Sequence, residues 1–330
     1  MRTLRSLSSV VLLIVALTTV ARAADNITLA RLTFSSGWDA LPAIVGIERG
    51  FFAQEGLVVS GLNITSPEAV INSLAAGSTD FAVVPQRVGL VMVAAKAPIK
   101  IIAQGGWGTE LELIKRPDVA IKGVADLKGK TIATLHGSEA LPALVRLLNQ
   151  AKLKPTDVKI VVMSADDLVK VLPAKKADAI FETRHFTSTL VQNKSAVSVM
   201  DAATISKSIG WIDAIPLITR AETISKDPSL VQKFTNGWVK SLAYIRQDPE
   251  DAGRLLEIYF HRQGVRITPP IANAWVAMTK YDQYDWSKAT VADAEYNGWG
   301  LNTAKILKVA PKLDGFVDNT FADKAAKAIQ

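Results

Sequence analysis

Three histidines, His136, His185 and His261, and no cysteine make up the soft-ligand inventory of this 330-residue chain. The histidines stand far apart and form no HxxxH pair, so neither a zinc site nor thiol chemistry is supported. A G-x-S-x-G nucleophile elbow, a Walker A loop and a G-x-G-x-x-G following a strand are all missing, and Gly105-Gly106-Trp107-Gly108 has the glycines without the spacing. Carboxylates are scattered along the chain, and spacing alone does not exclude a paired-acid hydrolase.

What stands out instead is a set of polar residues where a predicted strand gives way to a helix, the place at which α/β sheets bind ligands. His136-Gly137-Ser138, followed by Glu139, offers backbone N–H groups and a hydroxyl at a helix start, which suits an anion. Ser138 would also serve as a helix cap, and Glu139 would repel an anion unless it faces outward in the first turn. Trp38 and Asp39 follow the first strand; the indole can stack on a guest, and Asp39 can bind it or cap the next helix. Ser66 and Glu68 pose the same choice, and Gln86 follows a strand directly. After the strand ending at Phe181 comes Glu182-Thr183-Arg184-His185, where Arg184 can grip a carboxylate, sulfonate or phosphate with its planar fork and His185 can donate to it. The alternative for Arg184 is a salt bridge.

The elements that hold these turns alternate between strand and helix. Strands are predicted over 27–32, 62–64, 81–84, 101–103, 131–135, 159–163 and 179–181, with helices over 40–54, 70–76, 139–151 and 166–172. From Asp227 the pattern becomes helical, each helix opening on Asp-Pro or Thr-Pro at Asp227-Pro228, Asp248-Pro249 and Thr268-Pro269. Over 228–247, Val231, Phe234, Trp238, Leu242 and Ile245 share one face and belong to a core. The late aromatics Tyr281, Tyr284 and Trp286 are expected to pack the terminal helices.

Length and a hydrophobic content of 49% favour two domains. Arg2 and Arg5, an apolar run over 10–17 and Ala21-Arg22-Ala23 form a secretory signal peptide over 1–23, too short and too interrupted for a membrane span. Its removal takes three of the 38 basic residues and leaves 35 against 31 acids, or +4 in place of +7. That balance is mildly basic, without the Lys/Arg runs of a nucleic-acid binder. The expected location is the periplasm, with no cysteine available for a lipid anchor.

Three blocks carry a resemblance. Gly37 to Ala43 leads into Gly46-Ile47-Glu48-Arg49-Gly50-Phe51-Phe52-Ala53-Gln54-Glu55-Gly56-Leu57; Ile71 to Ala82 contains Leu74-Ala75-Ala76-Gly77 and Asp80-Phe81; and Asp126-Leu127-Lys128-Gly129-Lys130-Thr131-Ile132-Ala133 runs on to Gly137-Ser138. Together they resemble the nitrate, sulfonate and taurine family of periplasmic solute-binding proteins, which also has members that bind thiamine precursors. Lys176-Ala177-Asp178-Ala179 extends the likeness, with lysine in place of the usual glycine.

The resemblance implies a two-lobed α/β fold of the type II periplasmic-binding-protein kind, each lobe a mixed sheet flanked by helices, with the ligand cleft between them. It places residues 24–108 and 218–330 in one lobe and 109–217 in the other, with crossings near 107–109 and 215–219. Trp107 then lines the cleft or packs the hinge. Trp211 and Asp213 lie near the return crossing and are read as structural. The implied role is the substrate-binding component of an ABC importer: a monomer without cofactor or catalysis that closes on a small organic anion and delivers it to a permease. Glu139, Glu182 and Asp39 would instead suit an amine or a pyrimidine, and a sensory module or an enzyme of related fold are the competing classes.

Overall fold

The computed structural model describes residues 28–34, 39–63, 67–108, 110–135, 138–210, 213–303 and 307–329. The first stretch runs β1 (Thr28–Phe34), α1 (Leu41–Glu48), α2 (Phe51–Gln54), β2 (Leu57–Asn63), α3 (Pro67–Ala75), β3 (Phe81–Val83), α4 (Gln86–Ala94) and β4 (Ile99–Gly108). The middle runs β5 (Leu111–Lys115), β6 (Thr131–Leu135), α5 (Ala140–Gln150), β7 (Lys159–Met163), α6 (Ala165–Val171), β8 (Ala179–Thr183), α7 (Arg184–Gln192), β9 (Val197–Met200) and α8 (Ala202–Ile209). The last runs β10 (Asp213–Arg220), α9 (Ala221–Lys226), α10 (Pro228–Gln247), α11 (Pro249–Arg262), α12 (Pro269–Met278), β11 (Thr279–Lys280), α13 (Lys288–Thr303) and α14 (Thr320–Ala328).

These strands form two sheets, in the orders β11-β4-β10-β3-β1-β2 and β7-β6-β8-β5-β9. In the first, β1 pairs in parallel with β2 and β3, while β10 lies antiparallel to β3 and β4. In the second, β6 pairs in parallel with β7 and β8, while β5 lies antiparallel to β8 and β9. Each sheet thus takes in, against its parallel strands, the strand that follows a crossing from the other. Apolar clusters cover both faces of both sheets, as parallel strands require.

The expected return crossing at 215–219 is corrected by this pairing. Ile215 to Thr219 lie inside β10, bonded to β3 and β4, so the chain re-enters the first sheet by Asp213. The outward crossing falls between Gly108 of β4 and Leu111 of β5. The long helix predicted over 40–54 is broken at Arg49–Gly50, where Gly50 adopts φ 71, and β2 begins earlier than expected, at Leu57.

The proline-opened helices cap as predicted at two of three positions. Asp227 accepts from the Leu230 N–H and Asp248 from the Asp251 N–H, whereas the Thr268 side chain makes no cap bond. Helix α10 buries Val231, Phe234, Trp238, Leu242 and Ile245, with Phe234 stacked on Phe81 at 3.9 Å and on Phe52 at 4.8 Å between centroids. Gly237 permits this packing, because a Cβ there would lie 2.5 Å from the Phe52 ring. Tyr281 and Trp286 are buried as expected; the Trp286 indole N–H donates to the Ala103 carbonyl at 3.2 Å.

Helix α13 packs against α4 of the first sheet's layer and α5 of the second's. Arg146 of α5 pairs with Asp293 of α13 and lies over the Tyr296 ring, 5.3 Å from its centroid. Gly300 faces Pro142, where a Cβ would fall 2.2 Å from the proline ring. The two layered units therefore meet through this helix as well as through the two crossings.

Candidate functional site

The second sheet builds one wall of the site around a single buried carboxylate. Glu182, at the end of β8 and 1% exposed, accepts from Thr134 Oγ1 at 3.1 Å, the Leu135 N–H at 3.0 Å, Ser138 Oγ at 2.8 Å and the Thr183 N–H at 3.0 Å. These bonds tie the ends of β6 and β8 together and fix the entry to α5. Ser138 also accepts from the Ala140 N–H at 3.0 Å, so its hydroxyl holds the turn in both directions. Glu139 occupies the cap position of α5 without a side-chain cap bond. It does not face outward: its carboxyl is half-buried and pushed up to about 7, by burial first and then by the charge of Glu182, against the pull of Arg87.

Arg184 opens α7, and its N–H donates to the Glu110 carbonyl at 2.9 Å. Its guanidinium lies on Glu112, Nε to Oε1 at 3.1 Å, and against the Met278 sulfur at 3.7 Å. Glu112 is itself buried and accepts from Thr187 Oγ1 at 2.6 Å. The ion-pair alternative for Arg184 is therefore realised, with Glu112 as its acid.

The crossings contribute two acids that sequence reasoning did not place in the site. Glu110 lies between β4 and β5, and Asp213 opens β10 opposite Gly108. Burial pushes Glu110 up to about 7, with the charge of Asp39 adding to it and Arg184 opposing. Asp213 is raised well above the usual carboxylate range by burial, then by Glu139, Asp39, Asp293 and Glu110. Tyr281 is raised too, by burial, with Asp39 and Glu110 acting on it. The signal was available in position: both acids flank the segments that carry the chain between sheets, which must floor any cleft between them.

On the first sheet's side, Asp39 is buried and stands one residue before Ala40, the cap position of α1. Gln86 opens α4, buried, and accepts from Asn297 Nδ2 of α13. Trp107 sits farther out on β4; its indole N–H donates to Asp282 at 2.7 Å and the Lys280 ammonium lies 4.4 Å above its ring. That contact packs Trp107 on the β11 edge. Trp38, Ser66, Gly137, His136, Trp211 and the side chains of Glu68 and His185 lie outside the described residues.

Asp39, Glu110, Glu139 and Asp213 come from four separate chain segments, and the charges of Glu139, Asp39 and Glu110 all act on Asp213. Among the described residues no group of three or more His, Asp or Glu is spaced to hold a metal ion. The hydroxyls of Thr134 and Ser138 are both spent on Glu182, and that of Thr187 on Glu112.

Comparison with known proteins gives three findings. The family profile described as NMT1/THI5 like matches residues 38–252. Provisionally named binding proteins of Brucella abortus (strain 2308) and Brucella suis biovar 1 are 28% identical over 156 residues, 47% of this chain and 48% of theirs, so the chain spans about half the length of the curated relatives it matches. Among solved structures, the periplasmic aliphatic sulphonate binding protein SsuA of Escherichia coli superposes with a TM-score of 0.71 at 15% identity, covering 88% of this chain and 92% of that one. The SsuA of Methylobacillus flagellatus KT gives 0.74 at 18%, covering 92% and 95%. The desulfurization enzyme DszB gives 0.68 at 16%, covering 91% and 100%. At such identities these neighbours establish the two-lobed periplasmic-binding-protein fold.

Proposed function

Since the chain belongs to the NMT1/THI5-like family, we propose that it is the solute-binding component of an ABC importer. On this reading it works in the periplasm as a monomer, closing two lobes on one small molecule and handing it unchanged to a membrane permease. The lobes are taken as 28–108 with 213–329, and 110–210, the boundaries following sheet membership. The observation that carries the reading is the pair of mixed sheets linked by the Gly108–Leu111 segment and the entry to β10 at Asp213, a layout shared with the binding-protein neighbours that leaves a site divided between two units. A site so divided is completed only when the two halves approach, which makes ligand binding and closure a single event. The names of the binding-protein neighbours support the same role; DszB supports the enzyme class, which needs a reactive group in this cleft.

The guest's charge is the open part of this proposal. An organic anion such as a sulfonate or carboxylate would rest on Arg184, which must then be shared with Glu112. A nitrogenous base would rest on the acids. Small-angle scattering before and after a stabilising compound, with mass analysis of the compound afterwards, tests the receptor role. Compaction with an unchanged compound is expected; an unaltered radius, or a converted compound, contradicts it.

A further inference from the structure

Gln104 of β4 is sealed from solvent, and neither its Nε2 nor its Oε1 has a hydrogen-bond partner. Turning the amide over changes nothing, because donor and acceptor are orphaned together. Its main chain, by contrast, is held on both sides: the N–H donates to the Tyr284 carbonyl at 2.8 Å, and the carbonyl accepts from the Trp238 indole N–H at 2.9 Å. A buried amide in that state costs stability that an apolar side chain of the same length would not. The strand ladder uses the backbone alone, so it does not call for a glutamine here.

Strand registers place the residue. Phe34, the last of β1, lies opposite Val83, the last of β3; Val83 lies opposite Leu217, and Leu217 opposite Ala103. β4 runs in the same direction as β3, since both are antiparallel to β10. Gln104 follows Ala103 and so stands one step beyond the ends of β1 and β3, the level at which α/β sheets meet their ligands. Its side chain is on the α4 face: Gln104 is paired with Pro216, whose ring lies 3.1 Å from a Cβ built on Gly89 of α4, and directly opposed residues share a face. The next residue, Gly105, faces the other way, its Cβ position lying 3.1 Å from the Trp238 ring of α10.

We propose that Gln104 reads the guest: its amide is kept for a group that sets a donor beside an acceptor, of the neighbouring-hydroxyl, hydroxy-acid or carboxamide kind, and meets that group at the strand ends when the two units part. The proposal rests on the receptor reading above and adds to it a residue and a chemistry. An amide answers such a pair with both of its atoms, whereas a sulfonate or nitrate, which brings acceptors alone, leaves Oε1 orphaned. Stability given up in the ligand-free protein and recovered on binding marks a residue retained for recognition.

The test is a calorimetric melting and binding series on the whole chain. Catechol, salicylate and benzamide, each with a donor beside an acceptor, form one arm; benzenesulfonate and nitrate form the other. Gln104→Met, unbranched and of similar length, is expected to melt roughly 2–4 °C higher than the parent chain without ligand, and to bind at least one compound of the first arm tenfold or more weaker. Gln104→Leu, the second variant, is expected to change both quantities in the same directions. A lower melting point of both ligand-free variants, an unchanged affinity, or stabilisation of the parent chain by the second arm alone or by no compound overturns the proposal. Scattering keeps the two levels apart: compaction around a guest that both variants bind as the parent does removes Gln104 and leaves the receptor role, while a converted guest removes the receptor role and leaves Gln104 as its reader.

Discussion

Glu110→Gln should stabilise the ligand-free protein, and only at high pH. In the folded chain the Glu110 carboxyl is pushed up to about 7 from an ordinary 4.5, by burial and by Asp39, with Arg184 resisting. In the unfolded chain it releases its proton near its ordinary value, roughly 4.3. Between those values the folded state binds more protons than the unfolded one, so stability falls as pH rises across the window and is level above it. At about 1.4 kcal/mol per pH unit the shift corresponds to roughly 3.5 kcal/mol before screening, and partial exposure lowers this to about 1–2 kcal/mol. Glutamine is neutral throughout and nearly isosteric. Scanning calorimetry of ligand-free protein should show the variant melting about 2–4 °C higher at pH 8, with the gain nearly gone at pH 4.5. An equal gain at both pH values, or a loss at pH 8, would refute the reasoning that the crossing acid is held against its preference.

Other changes have equally definite outcomes. Glu182→Ala leaves donors from Thr134, Leu135, Ser138 and Thr183 without their shared acceptor and should cost at least ~3 kcal/mol, read as a loss of denaturant midpoint with an unchanged slope. Arg146→Ala removes the ion-pair partner that α5 gives the buried Asp293 of α13 and should lower stability by about 1–3 kcal/mol in a denaturant titration, with Arg146→Leu/Asp293→Leu recovering part of the loss. Asp251 is half-buried, yet bonds from Arg49, Arg254 and Tyr244 outweigh the desolvation and hold its carboxyl to about 2. Its contribution is therefore present above its ordinary pKa and lost as pH falls toward 2, and Asp251→Asn should flatten that part of the acid-unfolding curve.

The fold was legible because alternation and caps are local. The run from Thr131 to Leu135, the helix after Ser138 and the Asp-Pro openings at 227 and 248 each declare themselves within a few residues. Boundaries set by tertiary pairing were not: nothing near Ile215 reveals that β10 inserts between β3 and β4, so the return crossing was read too late. Of the candidate site, Ser138 is committed to Glu182, Arg184 to Glu112 and Gln86 to Asn297. Which acid an arginine finds depends on β5 running antiparallel to β8, where Glu112 sits opposite Glu182, a long-range register invisible in sequence. Glu110 was missed because a single acid in a connecting segment looks like solubilising charge, and Asp213, read as structural beside the return crossing, opens β10 itself.

Native mass spectrometry of the chain with a compound that raises its melting point, followed by release and weighing of that compound, tests the central claim most directly. One molecule per chain, held without a covalent bond and recovered at its starting mass, is the predicted result. A covalent adduct, or a released molecule of altered mass, would contradict capture without chemistry.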